Sequence, residues 1–177
     1  MSSYYSYSDS FRQNQKRQLR EKIIFYSVGV IASILLAFVL VRFVGFGITM
    51  KGDSMKETIQ NGQHLIGVRF TNAKQNDIIV FRNGDEDNSY YIKRVIAVPG
   101  DTVLISDEQI LVNDKAVEQK GEEPIISAGL ASKPITLKEN QYFVLGDNYN
   151  NSVDSRVASV GNVNKDDIVG RIIFKLW

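Results

Sequence analysis

The chain has 177 residues, with 21 Lys and Arg against 20 Asp and Glu, a formal net charge of +1. That length holds one modest domain with an appendage, and near-neutral charge speaks against a nucleic-acid binder, which carries a basic field. Cysteine is absent and histidine occurs once, at His64, so a disulfide framework and thiolate metal sites are excluded.

The first ten residues, MSSYYSYSDS, are polar and of low complexity, and read as a disordered tail. From Ile23 to Val41 the chain runs IIFYSVGVIASILLAFVLV without a charge. As a helix that run rises about 28 Å, close to the ~30 Å hydrocarbon core of a bilayer. Arg42 interrupts it and residues 43–48 continue apolar, which a tilt or a snorkelling arginine accommodates. A cleaved secretory signal has a shorter apolar region, usually about 7–15 residues. A retained anchor over residues 23–46 is therefore expected. Arg12, Lys16, Arg17, Arg20 and Lys22 precede it, opposed by Asp9 and Glu21. The positive-inside tendency puts residues 1–22 in the cytoplasm and residues 47–177 outside.

Beyond the anchor, short runs of Val, Ile, Tyr and Phe alternate with turn residues. The pattern predicts strands at residues 64–70, 78–82, 90–98, 102–105, 109–112, 141–145 and 168–176. "VPGD" at 98–101 and "VNDK" at 112–115 punctuate them as turns. Residues 118–134 mix Gly, Pro and Ser without a period and read as a loop or small subdomain. The architecture expected is mainly β: an antiparallel β-rich domain on one N-terminal transmembrane helix.

Chemistry enters at "KGDSMKET", residues 51–58, where Ser54 stands among charged neighbours. A hydroxyl is a poor nucleophile until a base activates it. In "SYYIKRVIAVPGD", residues 89–101, strand alternation puts Lys93 on one face with Tyr91, Val95 and Ala97, and Arg94 on the other with Ile92 and Ile96. Burial disfavours a lysine's charged form, so Lys93 on an apolar face is a candidate base for Ser54. An edge-strand lysine that snorkels to water is the plainer alternative. "VLGDNYNNSVDSR", residues 144–156, leaves a strand for a loop dense in Asp, Asn and Ser, where local turns are the default. There Ser152, Asp154 and Arg156 fall at every second position and share one side if extended. His64, in "GQHLIG", reads as structural, with a Ser54–His64–Asp triad as the rival. The "DED" at 85–87 reads as a solvated turn, and no metal-ligand spacing or nucleotide loop appears.

In this order and behind one anchor, "GDSMKETI", "NDIIVF", "YYIKRVIAVPGD" and "GDNYNNSVDSR" resemble the sequence boxes of type I signal peptidases. These are membrane-bound Ser-Lys proteases that remove signal peptides from exported proteins. The resemblance runs from the anchor to about Arg156, and the terminal strand fits it too. It implies a β-rich domain held against the outer leaflet, Ser54 as nucleophile and Lys93 as general base. It implies that Met55 belongs to an apolar surface facing substrate and membrane, and that the Ser54 N–H is one oxyanion donor. Some relatives carry a serine donor two residues before the nucleophile; here that position is Gly52, so a backbone group would serve. Ser152 would hold the Lys93 amine, with Asp147, Asp154, Arg156 and Arg94 as the supporting polar network. Two positions depart from the pattern: Glu57 stands where the family usually has proline, and Tyr149 where it usually has arginine.

The function expected is an endopeptidase cutting N-terminal signal peptides from preproteins at the outer face of the plasma membrane. About a dozen residues link the uncharged run to Ser54, at most ~40 Å when extended, which suits a cut close to the bilayer. The partners implied are membrane-inserted preproteins and the lipid bilayer, without nucleic acid, cofactor or metal. Divergent relatives accompany pilus assembly in Gram-positive bacteria, so the alternative is an accessory protein or chaperone for pilin subunits with little or no proteolysis. A self-cleaving Ser-Lys repressor lacks support, since the chain has an anchor and no DNA-binding segment.

Overall fold

The structure is a computed structural model that describes residues 2–56, 58–69, 72–84 and 89–176, with the backbone course alone for 2–14 and 40–42. Glu57, the run at 85–87 and the Arg42 side chain lie outside the described residues. The chain divides into two compact units, Met1–Phe43 and Val44–Trp177.

The first unit is a single helix, α1 (Ser2–Val44). Within it Gln15–Val39 has a mean hydropathy of 2.2 and no buried residue, long and apolar enough to cross a membrane. Two serines of the apolar run bond within the helix. Ser27 Oγ donates to the Ile23 carbonyl at 2.7 Å and Ser33 Oγ to that of Gly29 at 2.9 Å, as hydrocarbon surroundings require. The helix reaches back through the polar tail that composition reads as disordered, because extending a nucleated helix adds a hydrogen bond for each residue fixed. At the other end it stops at Val44, two residues short of the expected boundary. Gly45 and Gly47 are poor helix formers, and the chain from Gly45 pairs with a strand instead.

The second unit contains, in chain order, β1 (Gly45–Thr49), β2 (His64–Val68), β3 (Ile78–Arg82), β4 (Tyr90–Ala97), β5 (Thr102–Ser106), β6 (Gln109–Val112), β7 (Lys115–Ala116), β8 (Ile135–Thr136), β9 (Gln141–Leu145), β10 (Val163–Asn164) and β11 (Ile168–Lys175). Among the described residues they form a seven-stranded sheet, β1-β2-β11-β3-β4-β9-β10, and a four-stranded sheet, β7-β6-β5-β8. Every pairing is antiparallel. The mainly β, antiparallel architecture is thus as the sequence leads one to expect. The last strand, β11, is inserted between β2 and β3, joining the β1–β2 half of the large sheet to the β3–β4 half.

Local chemistry sets the turns. Asp107 and Glu108 take φ of 50° and 62°, and Asn113 and Asp114 take 51° and 61°, the left-handed pairs that a two-residue hairpin needs. In "VPGD" the Val98 N–H donates to Asp101 Oδ2 at 2.9 Å. Residues 118–134 are mostly irregular, but Ile125 and Ala131 are buried with Leu137, Phe143 and Val103 between the sheets' apolar faces. A second cluster joins Ile79, Phe81, Val95 and Val144. A third, Met50, Met55, Ile59, Leu65, Val80 and Ile92, underlies the turn after β1. Burying each such large side chain contributes about 1.5–3 kcal/mol.

Candidate active site

Ser54 stands in a tight turn between β1 and β2. The Lys56 N–H donates to the Asp53 carbonyl at 3.1 Å, and the N–H groups of Thr58 and Ile59 donate to that of Met55 at 2.8 and 2.6 Å. This winding drives Met55 and Ile59 inward: both are 0% exposed. Met55, which the resemblance places on an apolar surface facing substrate and membrane, has no exposed surface. It is a core residue, and the turn reverses the side on which its neighbour lies.

Lys93 comes from the middle of β4, flanked by β3 and β9, so it is no edge lysine. It is 3% exposed. Its Nζ lies 2.6 Å from Ser54 Oγ and 5.8 Å from the centre of the Tyr91 ring. Burial pushes the ammonium down from 10.5 to about 8, opposed by the Asp154 carboxylate, reinforced by the Arg156 guanidinium and opposed again by Asp147. An amine in that range exchanges its proton near neutral pH, and in its neutral form it accepts the serine hydroxyl hydrogen. The predicted alternation holds for Lys93 and Arg94 but fails at the strand end. A register shift between Val95 and Ala97 sends Ala97 to the cluster of Ile96 and Phe143, apart from Val95.

Two buried bidentate ion pairs brace these residues. Arg94 donates from Nε to Asp147 Oδ1 at 2.8 Å and from Nη2 to Oδ2 at 2.6 Å, while Nη1 reaches the Asn76 carbonyl at 2.9 Å. Arg156 donates from Nε and Nη2 to Asp154 at 2.8 Å each, and from Nη2 to the Tyr149 carbonyl at 2.6 Å. Asp154 Oδ2 also accepts the Gly146 N–H at 3.1 Å. Thr58, which the sequence does not single out, donates its hydroxyl to Asp147 and accepts from Arg94 Nη2 at 3.2 Å.

Asn148 grips the Ser54 turn twice. Its N–H donates to the Ser54 carbonyl at 3.0 Å and its Nδ2 to the Asp53 carbonyl at 3.1 Å. Among the loop's several Asn and Asp residues nothing in the sequence sets it apart.

Ser152 Oγ is buried, with no hydrogen-bond partner among the described residues; no bond to Lys93 is formed. A Cβ on Gly146 would collide with Ser152 Oγ and the Ser54 carbonyl, so glycine permits the loop and the Ser54 turn to close on each other. Gly52, at φ +82°, gives its N–H to Asn61 Oδ1 at 3.2 Å, which occupies the group expected as a second oxyanion donor. Tyr149 is buried in the core between the sheets, and its hydroxyl accepts the Lys120 N–H at 3.0 Å. Packing replaces charge there. His64 is exposed and its Nδ1 lies 2.9 Å from Thr49 Oγ1 on β1, which gives the Ser54–His64 triad no support.

Ser54 and Lys93 open onto a cleft of ≈ 770 Å³, walled by β1 residues Ile48 and Thr49, the Met50–Asp53 segment, Tyr90–Ile92 of β4, and Asn151 and Val153. The floor holds a hydroxyl and an amine, and the walls are mostly apolar or neutral.

The family pattern described as "Signal peptidase, peptidase S26" matches residues 23–177. Signal peptidase I P of Bacillus subtilis subsp. natto is 32% identical over 169 residues, 89% of this chain and 90% of that one. Signal peptidase IB of Staphylococcus aureus (strain COL) is 28% identical over 183 residues, 90% of this chain and 92% of that one. A crystal structure of a signal peptidase I from Enterococcus faecalis V583 superposes with a TM-score of 0.49 at 25% identity, over 59% of this chain and 99% of that one.

Proposed function

Because the chain belongs to the signal peptidase family, peptidase S26, we propose that it is a serine endopeptidase removing signal peptides from exported preproteins, with Ser54 as nucleophile and Lys93 as general base. The observation that carries this reading is the 2.6 Å approach of a 3%-exposed lysine nitrogen to a serine oxygen on a cleft floor.

Neutral Lys93 Nζ takes the proton of Ser54 Oγ as that oxygen bonds to the scissile carbonyl carbon. The carbonyl π pair moves to oxygen, and the Ser54 N–H donates to it. Collapse breaks the C–N bond, and the Lys93 ammonium returns the proton to the departing amine. Water, deprotonated by the same nitrogen, then adds to the acyl carbon; the C–Oγ bond breaks, the Lys93 ammonium returns the proton to Ser54 Oγ, and the carboxylate product leaves. Arg94–Asp147 and Arg156–Asp154 hold the strand and loop behind the amine, and none of the four lines the cleft. The apolar α1 serves as anchor with its N-terminus in the cytoplasm, so that the second unit meets preproteins at the outer face. Small residues at a cleavage site suit shallow recesses beside Ser54.

The test uses the full chain in lipid, incubated with a purified preprotein, with the cut located by mass spectrometry. Cleavage at the signal junction is expected from the native protein and its His64→Ala variant. None is expected from Ser54→Ala or Lys93→Ala. If the native protein leaves the preprotein whole while supporting pilin assembly in cells, the accessory reading replaces the peptidase.

A further inference from the structure

Serine addition places a negative charge on the former carbonyl oxygen, and the donor proposed for it is the Ser54 N–H. That N–H belongs to the peptide joining Asp53 to Ser54, whose other polar group is the Asp53 carbonyl. A peptide is planar and trans, with N–H and C=O directed oppositely across the plane. Whatever grips the carbonyl therefore sets where the N–H points. Here two donors share that carbonyl: the Lys56 N–H at 3.1 Å, from within the turn itself, and Asn148 Nδ2 at 3.1 Å, the one that ties it to a segment remote in sequence, while the Asn148 N–H takes the next carbonyl, that of Ser54, at 3.0 Å. The two Asn148 bonds fix consecutive peptide planes around the nucleophile. Gly52, whose N–H is taken by Asn61, offers no second donor to compensate for a misaimed first one.

We propose that Asn148 is the positioning residue of the oxyanion site: by donating to the Asp53 carbonyl it holds the Asp53–Ser54 peptide so that the Ser54 N–H meets the oxygen that becomes charged. The bond also polarises that peptide, since a carbonyl that accepts leaves its N–H a stronger donor. The contact falls on a main-chain carbonyl at one edge of the cleft and leaves Lys93 and the β1 and β4 side chains that line it untouched, so the base and the side-chain contacts of ground-state binding are independent of it. The inference rests on the peptidase reading above.

The experiment compares the native full chain with Asn148→Ala and Asn148→Leu, in lipid. Both variants keep the backbone N–H to Ser54 and lose the side-chain donor. Three quantities are measured: preprotein cleavage, binding of a substrate-like peptide aldehyde that forms a tetrahedral adduct on Ser54, and binding of the same peptide ending in a non-electrophilic amide. Loss of an oxyanion donor typically costs about 100- to 1,000-fold in kcat, and a misplacement of about 1 Å can cost about 100-fold, so a donor that is misaimed by less falls below those limits. Expected are a kcat lower by at least about tenfold with KM unchanged, an aldehyde affinity weakened in parallel, unchanged amide binding, and an unmoved acid limb of the pH profile. Thermal unfolding of each variant is followed in the same buffer. Equal loss of aldehyde and amide binding, or full kcat in both variants, overturns the role of Asn148. A native protein that neither cleaves nor takes up the aldehyde overturns the peptidase reading itself, and the two failures are thereby told apart.

Discussion

Lys93 carries opposite consequences for catalysis and for folding. Its nitrogen is sheltered enough to titrate at about 8 rather than 10.5. Cleavage should therefore rise with pH along a limb centred near 8, measurable as kcat/KM across a pH series. Lys93→Arg should be inactive at every pH, because a guanidinium stays protonated. The same shift acts on stability. Between about 8 and 10.5 the unfolded chain keeps this proton and the folded chain does not, so unfolding free energy rises with pH across that window. Below it the folded state bears the full cost of a buried ammonium, at most about 3 kcal/mol from a shift of this size. Lys93→Met should accordingly unfold at higher urea than the native protein at pH 7, with the gap narrowing towards pH 10. An unchanged gap would mean that the amine is better solvated than its burial indicates. Met55 invites a second comparison at this scale. Its side chain is fully buried, so Met55→Ala should destabilise by about 2–5 kcal/mol, read from urea midpoints.

At the level of elements, the Ser54–Lys93 contact depends on how β4, β9 and the loop after β9 are tied together. Arg94 on β4 and Asp147 beyond β9 form a pair with side chains 9% and 2% exposed. Removing one partner of such a pair typically costs about 3–5 kcal/mol, because the other charge is left buried. Asp147→Ala should therefore lower the unfolding midpoint and cut activity, whereas Asp147→Asn, keeping the shape and an acceptor, should lose less of both. The strands were legible because alternation is a local pattern; a cation on an apolar face marked Lys93 only as a candidate beside the plainer edge-lysine reading, and its pairing with Ser54 came from the resemblance of the ordered motifs. What escaped depends on partners remote in the chain. β1 reads as the tail of the apolar anchor until β2 offers it hydrogen bonds. Ala97 follows the alternation until a bulge moves it. Met55 adjoins Ser54 in sequence, but only the turn decides which of them faces the cleft. Asn148 is one polar loop residue among several until the Asp53 carbonyl is known to lie beneath it.

On the scale of the whole molecule, orientation admits a direct check. A tag placed after residue 176 should be digested by protease added to intact cells, while a tag before residue 2 should be protected until the membrane is opened. The position of β11 has a further consequence, concerning time. Ser54 hangs from the β1–β2 hairpin and Lys93 from the β3–β4 hairpin, and in the large sheet these hairpins are not neighbours: β11 lies between them. Ribosomes make it after every other strand. Until Ile168–Lys175 emerges and slots in, the two hairpins have no shared sheet to register them. On the proposed reading, a nascent copy should stay inactive until that strand is in place, so a chain cut before Ile168 should cleave no preprotein even when it reaches the membrane.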